Sequence, residues 1–132
     1  EVAKRQDNSN PVYYVQYAHA RIHSVLRQSN TPLSTIHQAD TRPLVAPSER
    51  ALLQRLAEYP AMIQQAAHEL APHQVAFWLR DCAADFHTWY NSERLLVDDD
   101  SLRQARLSLA AACAQVIANG LDLLGVSAPT EM

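Results

Sequence analysis

Tyr14, Tyr17 and Arg21 are the residues whose types and spacing best suit chemistry with a ligand. At the angular step of an α-helix they fall within about 60° of one another, beside the apolar stripe of Val15, Ala18, Ile22, Val25 and Leu26. Side chains on such a flank are half buried. The core holds the rings, while the ring edges and the guanidinium reach outward. Tyr17 and Arg21 stand one turn apart and can act together. An aromatic platform beside an arginine suits stacking on unpaired bases, with the planar fork left to pair with phosphate or a guanine edge. The same spacing also describes a Tyr/Arg pair that only borders a core, and the residues alone leave both readings open.

Other candidate chemistry is weaker. His19 and His23 share a helix face in H-x-x-x-H spacing, but a zinc site needs three or four ligands and the local sequence offers no third. Asp98, Asp99 and Asp100 directly precede an apolar helical segment, where carboxylates cap the chain and face the positive end of its dipole. Ser24, Ser48 and Ser108 lack a nucleophile context, and no G-x-S-x-G occurs. Cys82 and Cys113 lie in apolar helical patterns without C-x-x-C spacing, which reads as two reduced, buried thiols. No catalytic residue and no metal ligand is assigned.

The elements that must carry these residues follow from composition and punctuation. The 132 residues fit one domain, and 48% hydrophobic against 19% charged residues supplies a core. With only 2 glycines, Gly120 and Gly125, the chain cannot build a glycine-rich phosphate loop or a sheet of tight hairpins. Residues 1–50 carry six basic groups against four acidic ones, and residues 51–132 five against ten. Bulk capture of polyanions is therefore weak, and any contact with nucleic acid rests on a few placed residues. No apolar run approaches membrane-spanning length and no signal peptide opens the chain. The start at Glu1 without Met leads us to expect an excised piece or a processed product.

Asn10-Pro11 starts the first helix, with Asn as N-cap and Pro at the first helical position. The pattern is lost from Ser29 to Pro47, a polar stretch punctuated by Asn30, Pro32, Pro43 and Pro47 that reads as a long, mobile surface loop. A helix restarts with Ser48 as N-cap, and Pro60 and Pro72 open the next two. After Pro72, Val75, Leu79, Cys82, Phe86 and Trp89 keep one seam, with Phe77, Trp78 and Tyr90 as further aromatic material for the core. The acidic caps lead into a last seam of Leu102, Leu109, Cys113, Val116, Gly120 and Leu124, and Gly125 ends it as a C-cap glycine. The expected fold is an all-α helical bundle of about five helices around one core.

Several runs resemble a known family. Asn10-Pro11-Val12-Tyr13-Tyr14-Val15-Gln16-Tyr17-Ala18-His19-Ala20-Arg21-Ile22 is similar to the segment that opens the C-terminal domain of bacterial arginyl-tRNA synthetases. The resemblance continues through Pro72-His73, Phe86-His87-Thr88-Trp89-Tyr90-Asn91 and Arg94-Leu95-Leu96-Val97-Asp98. Asp100-Ser101-Leu102-Arg103 is similar to the D-A-L-R signature of this anticodon-binding family, with Ser for Ala. Asn119-Gly120-Leu121 and Leu124-Gly125-Val126-Ser127-Ala128-Pro129 through Met132 resemble its characteristic end. The likeness covers roughly residues 8–29 and 47–132, and His23 stands where many relatives have Cys.

The resemblance implies a domain that receives the anticodon loop of arginine tRNA, with Tyr17, Arg21, Tyr90 and Met132 approaching it and Tyr14 as a weaker neighbour. It implies an ordered tail after Gly125. It further implies that residues 10–132 form this domain, with a surface loop at 29–47, and that residues 1–9 end the connection from a catalytic domain. Neither an HIGH-type nor a KMSKS-type motif occurs here. The expectation is no cofactor in this piece, ATP and Mg2+ for the full-length ligase, and attachment of arginine to tRNA carried out elsewhere in the chain. Its expected setting is cytoplasmic and monomeric, without DNA or membrane partners. A protein-interaction bundle, or the anticodon domain of a related tRNA ligase, is the alternative.

Overall fold

The computed structural model describes residues 10–132 and contains six helices in the order α1 (Pro11–Ser29), α2 (Leu33–Ile36), α3 (Pro47–Ala57), α4 (Tyr59–His68), α5 (Pro72–Ser92) and α6 (Asp100–Leu123). Five are long and α2 is a single turn, so the all-α bundle expected from periodicity is the fold observed. The expected connection over residues 1–9 lies outside the described residues. No strand occurs among the residues that are described.

α5 is the central element, packed against α1, α3, α4 and α6. Its seam of Val75, Leu79, Cys82, Phe86 and Trp89 is buried, as is Trp78 on its margin. Phe77 is the exception among these aromatics: it is 50% exposed, with His73 and the Arg80 guanidinium as its neighbours. Opposite the seam, α6 contributes Ala105, Leu109, Cys113, Ile117 and Leu121. Gly120 allows the two helices to meet: a Cβ there would lie 2.7 Å from Leu79 Cδ2, and that leucine is buried and cannot swing aside.

Chain punctuation sets the helix ends. Asn10 caps α1 by accepting the Val12 N–H at 3.0 Å, and Asp99 caps α6 by accepting the Leu102 N–H at 3.2 Å. At α3 the N-cap is Ala46, not Ser48, because Pro47 already takes the first helical position. The cap is made in reverse, by the Glu49 carboxylate accepting the Ala46 N–H at 3.2 Å. Glu49 is itself fully buried. Its other oxygen accepts from Arg106 Nε at 2.7 Å and from Trp89 Nε1 at 3.1 Å, tying α3, α5 and α6 together.

Between α1 and α3 the chain is fastened to the bundle. α2 packs on α6, and Ile36 and Leu44 are buried. Two isolated apolar plugs in a polar stretch carry no periodicity, so the pattern conceals them.

Candidate nucleic-acid interface

The flank of α1 meets α5 around one imidazole. His87 lies between the two helices with Tyr14 at 5.3 Å and Tyr17 at 5.8 Å between ring centres, the Tyr17 ring stacked on it at an interplanar angle of 23°. Arg21 Nη1 stands 3.4 Å from His87 Nδ1. The Arg21 guanidinium carbon is 3.9 Å from the Tyr90 ring centre and 5.8 Å from that of Tyr17. Such closeness to an aromatic face is a cation–π contact. One turn separates His87 from Tyr90 on α5, and one turn separates Tyr17 from Arg21 on α1, so the four side chains interleave as two facing pairs.

Burial and the neighbouring Arg21 charge push the His87 pKa down to about 4, so the imidazole is neutral near pH 7. A guanidinium can only donate, so Nδ1 is the accepting nitrogen and the proton resides on Nε2. That Nε2 is buried without a protein partner. Burial also raises the Tyr14 pKa, and its ring backs His87 from the core side.

The C-terminal tail completes the site. α6 ends in a Schellman turn: Gly125, at φ 71°, donates to Asp122 at 2.9 Å and Val126 donates to Leu121 at 2.9 Å. The chain then runs along α1, which takes its carbonyls in succession. Gln16 Nε2 donates to the Ser127 carbonyl at 2.9 Å, His19 Nδ1 to that of Pro129 at 2.8 Å, and Arg27 Nη1 to that of Thr130 at 3.0 Å. Residues 16, 19 and 27 share a face of α1. His19 therefore works as a tail anchor. His23 packs 4.5 Å from it between ring centres, and burial, His19 and Arg27 lower the His23 pKa.

Between α1 and the tail lies a groove of about 390 Å³ lined by Tyr17, Ala20, Arg21, Ser24, Arg27, Glu131 and Met132. Tyr17 is 38% and Met132 55% exposed there. Of the residues singled out in the sequence, Tyr17, Arg21 and Met132 share this groove, Tyr90 underlies Arg21, and Tyr14 stands behind His87 without lining it. His87, Gln16 and Arg27 were not singled out, and His19 was weighed only as half of an H-x-x-x-H pair. For His87 the available signal was its place one turn before Tyr90; the tail anchors have none, because their partners are backbone carbonyls more than 100 residues away. A larger hollow of about 500 Å³ between α1, α2 and α6 is lined mainly by apolar side chains and holds none of the five candidates.

Comparison with known proteins bears on this geometry. The DALR anticodon binding domain family matches residues 15–132. The arginine–tRNA ligase of Bordetella pertussis is 61% identical over 132 residues, which are 100% of this chain and 24% of that protein. That of Herminiimonas arsenicoxydans is 57% identical over 133 residues, covering 100% of this chain and 23% of the relative. Among solved structures, an arginyl-tRNA synthetase from Campylobacter jejuni superposes with a TM-score of 0.88 at 29% identity, over 98% of this chain and 28% of that one. The Thermus thermophilus arginyl-tRNA synthetase gives 0.80 at 38% identity, over 90% and 21%. The chain thus spans about a quarter of the length of the curated relatives it matches.

Proposed function

The chain belongs to the DALR anticodon-binding domain family, and we propose that it binds the anticodon loop of arginine tRNA for a full-length arginine–tRNA ligase. The observation that carries this reading is the groove between α1 and the tail, where Tyr17, Arg21, Arg27 and Met132 present one aromatic face, two cations and a thioether. A chain with a formal net charge of -3 cannot hold RNA by bulk attraction, so selection falls to stacking and placed charge. An unpaired base stacks against Tyr17 or the outer face of Arg21. Arg27, which also donates to the Thr130 carbonyl, supplies a second cation for the backbone phosphate.

Activation of arginine with ATP and Mg2+, and its transfer to the tRNA, belong to the part of the ligase that residues 1–9 would join to this domain. Among the described residues no group of three or more His, Cys, Asp or Glu is arranged to hold a metal ion. In this reading the ligase works in the cytoplasm as a monomer. No helix among the described residues is long and apolar enough to cross a membrane.

The test is binding of arginine tRNA by the full-length ligase, comparing the natural anticodon loop with loops in which single unpaired bases are replaced. Loss of affinity on replacement, at constant acceptor stem, is expected. Equal affinity for every loop would move recognition away from this domain.

A further inference from the structure

Arg21 is half buried, yet no carboxylate among the described residues pairs with it; its polar partner there is His87 Nδ1. Two other arginines that reach across the bundle pair with acids, Arg55 with Asp85 at 2.8 Å and Arg106 with Glu49 at 2.7 Å, while Arg27 donates to the Thr130 carbonyl. An acid at position 87 would hold Arg21 equally well but would cancel its charge. A neutral imidazole directs the fork and leaves the full positive charge for an anion. The same ring carries Tyr17 on its face.

We infer that His87 is the positioning residue of this interface, orienting Arg21 flat on Tyr90 and backing Tyr17, so that an unpaired base and its phosphate meet both groups in place. The inference rests on the proposed RNA-binding role and adds a residue to it. His87 acts through its neighbours: it is wedged against Tyr14, Tyr17 and Arg21 of α1, with Phe86 beside it on its own helix. Preorganisation of this kind spares the ordering cost of a long side chain on binding. Of the groups in contact with His87, Arg21 is the charged one, with Tyr14 and Tyr17 from α1 as the remaining titratable ones, while Tyr90 of α5 lies against Arg21. Its lowered pKa is the direction that keeps it a neutral acceptor.

The experiment uses the full-length ligase and arginine tRNA. His87→Phe keeps a ring without an acceptor, and His87→Asn places an acceptor near the Nδ1 position. Affinity is expected to fall roughly tenfold for His87→Phe, the scale of one hydrogen bond to a charged group, and to return to within about threefold for His87→Asn. In an Arg21→Ala background His87→Phe should cost nothing further. Wild-type affinity for His87→Phe, failure of His87→Asn to rescue, or an unchanged cost in the Arg21→Ala background would each overturn the inference. A second measurement is independent of RNA: ring 15N shifts should show Nδ1 of His87 unprotonated near pH 7, and a proton on Nδ1 would refute it. If Arg21→Ala itself leaves RNA binding unchanged, the functional reading fails, and the 15N result still decides whether His87 positions Arg21.

Discussion

The guanidinium carbon of Arg21 stands 3.9 Å from the centre of the Tyr90 ring, so one face of this planar cation is covered by α5 and the other is left to the groove. In the proposed function the tyrosine acts through the arginine. A ligand base that approaches from the groove meets Tyr17, Arg21 and Met132 directly, with Tyr90 holding the cation from behind.

Tyr17→Ala and Arg21→Ala should each weaken tRNA binding while the bundle stays folded, since both side chains lie outside the buried seam. One stacking contact contributes about 1–3 kcal/mol, which places the loss at roughly ten- to a hundredfold. Filter binding with the full-length ligase, beside a circular-dichroism melt of each variant, measures this. Unchanged affinity with both substitutions combined would sink the assignment.

The helices were legible because burial imposes a period: the α5 seam was read from Val75 to Trp89, and each of its residues is buried. The pairing of Tyr17 with Arg21 was legible for the same reason, as one turn of one helix. Contacts that depend on how helices meet were not. Nothing local distinguishes Glu49 from a first-turn acid favoured by the helix dipole, yet its carboxylate is fully buried against Arg106 and Trp89. Ser48 was read as the cap because it is the better capping type, whereas Pro47 shifted the helix start back and left that role to Glu49. His87 gained its place only once α1 and α5 were packed side by side.

Arg106→Ala should destabilise the domain strongly. It leaves Glu49 buried with only Trp89 and the Ala46 N–H as partners, and it removes the Arg106 Nη1 bond to the Arg94 carbonyl at 2.7 Å. Breaking a buried ion pair from one side costs about 3–5 kcal/mol. Urea denaturation followed by tryptophan fluorescence is apt, since Trp89 touches the pair. A loss below about 1 kcal/mol would mean that water enters and solvates Glu49.

Acid should weaken the folded state before any carboxylate is involved. The His87 pKa lies near 4 in the folded protein against 6.5 for the free side chain, and that of His23 is lowered as well. The unfolded chain therefore takes up these protons first. The contribution to stability is complete above about pH 6.5, declines as pH falls, and is exhausted once His87 titrates near 4. Melting temperatures between pH 7 and pH 4.5 should drop less for His87→Phe than for the wild type. Parallel slopes for the two proteins would show that His87 takes up its proton in the folded state without penalty.

Removal of Thr130, Glu131 and Met132 separates a binding tail from a structural one. The segment after Gly125 would ordinarily fray, but α1 takes the carbonyls of Ser127 and Pro129 at 2.9 and 2.8 Å, and both contacts survive the truncation. Only the 3.0 Å bond from Arg27 to the Thr130 carbonyl is lost, and all three deleted residues are exposed. Little core disappears, so the melting temperature should stay within about 2 °C. The groove, by contrast, loses Glu131 and Met132 from its wall, and with Met132 the polarisable thioether that would pack against a base. Arginine tRNA should therefore bind the truncated ligase more weakly than the full-length protein, and Met132→Ala alone should reproduce part of the loss. If truncated and full-length proteins bind equally, the tail serves only to close the end of α6, and Met132 has no part in recognition.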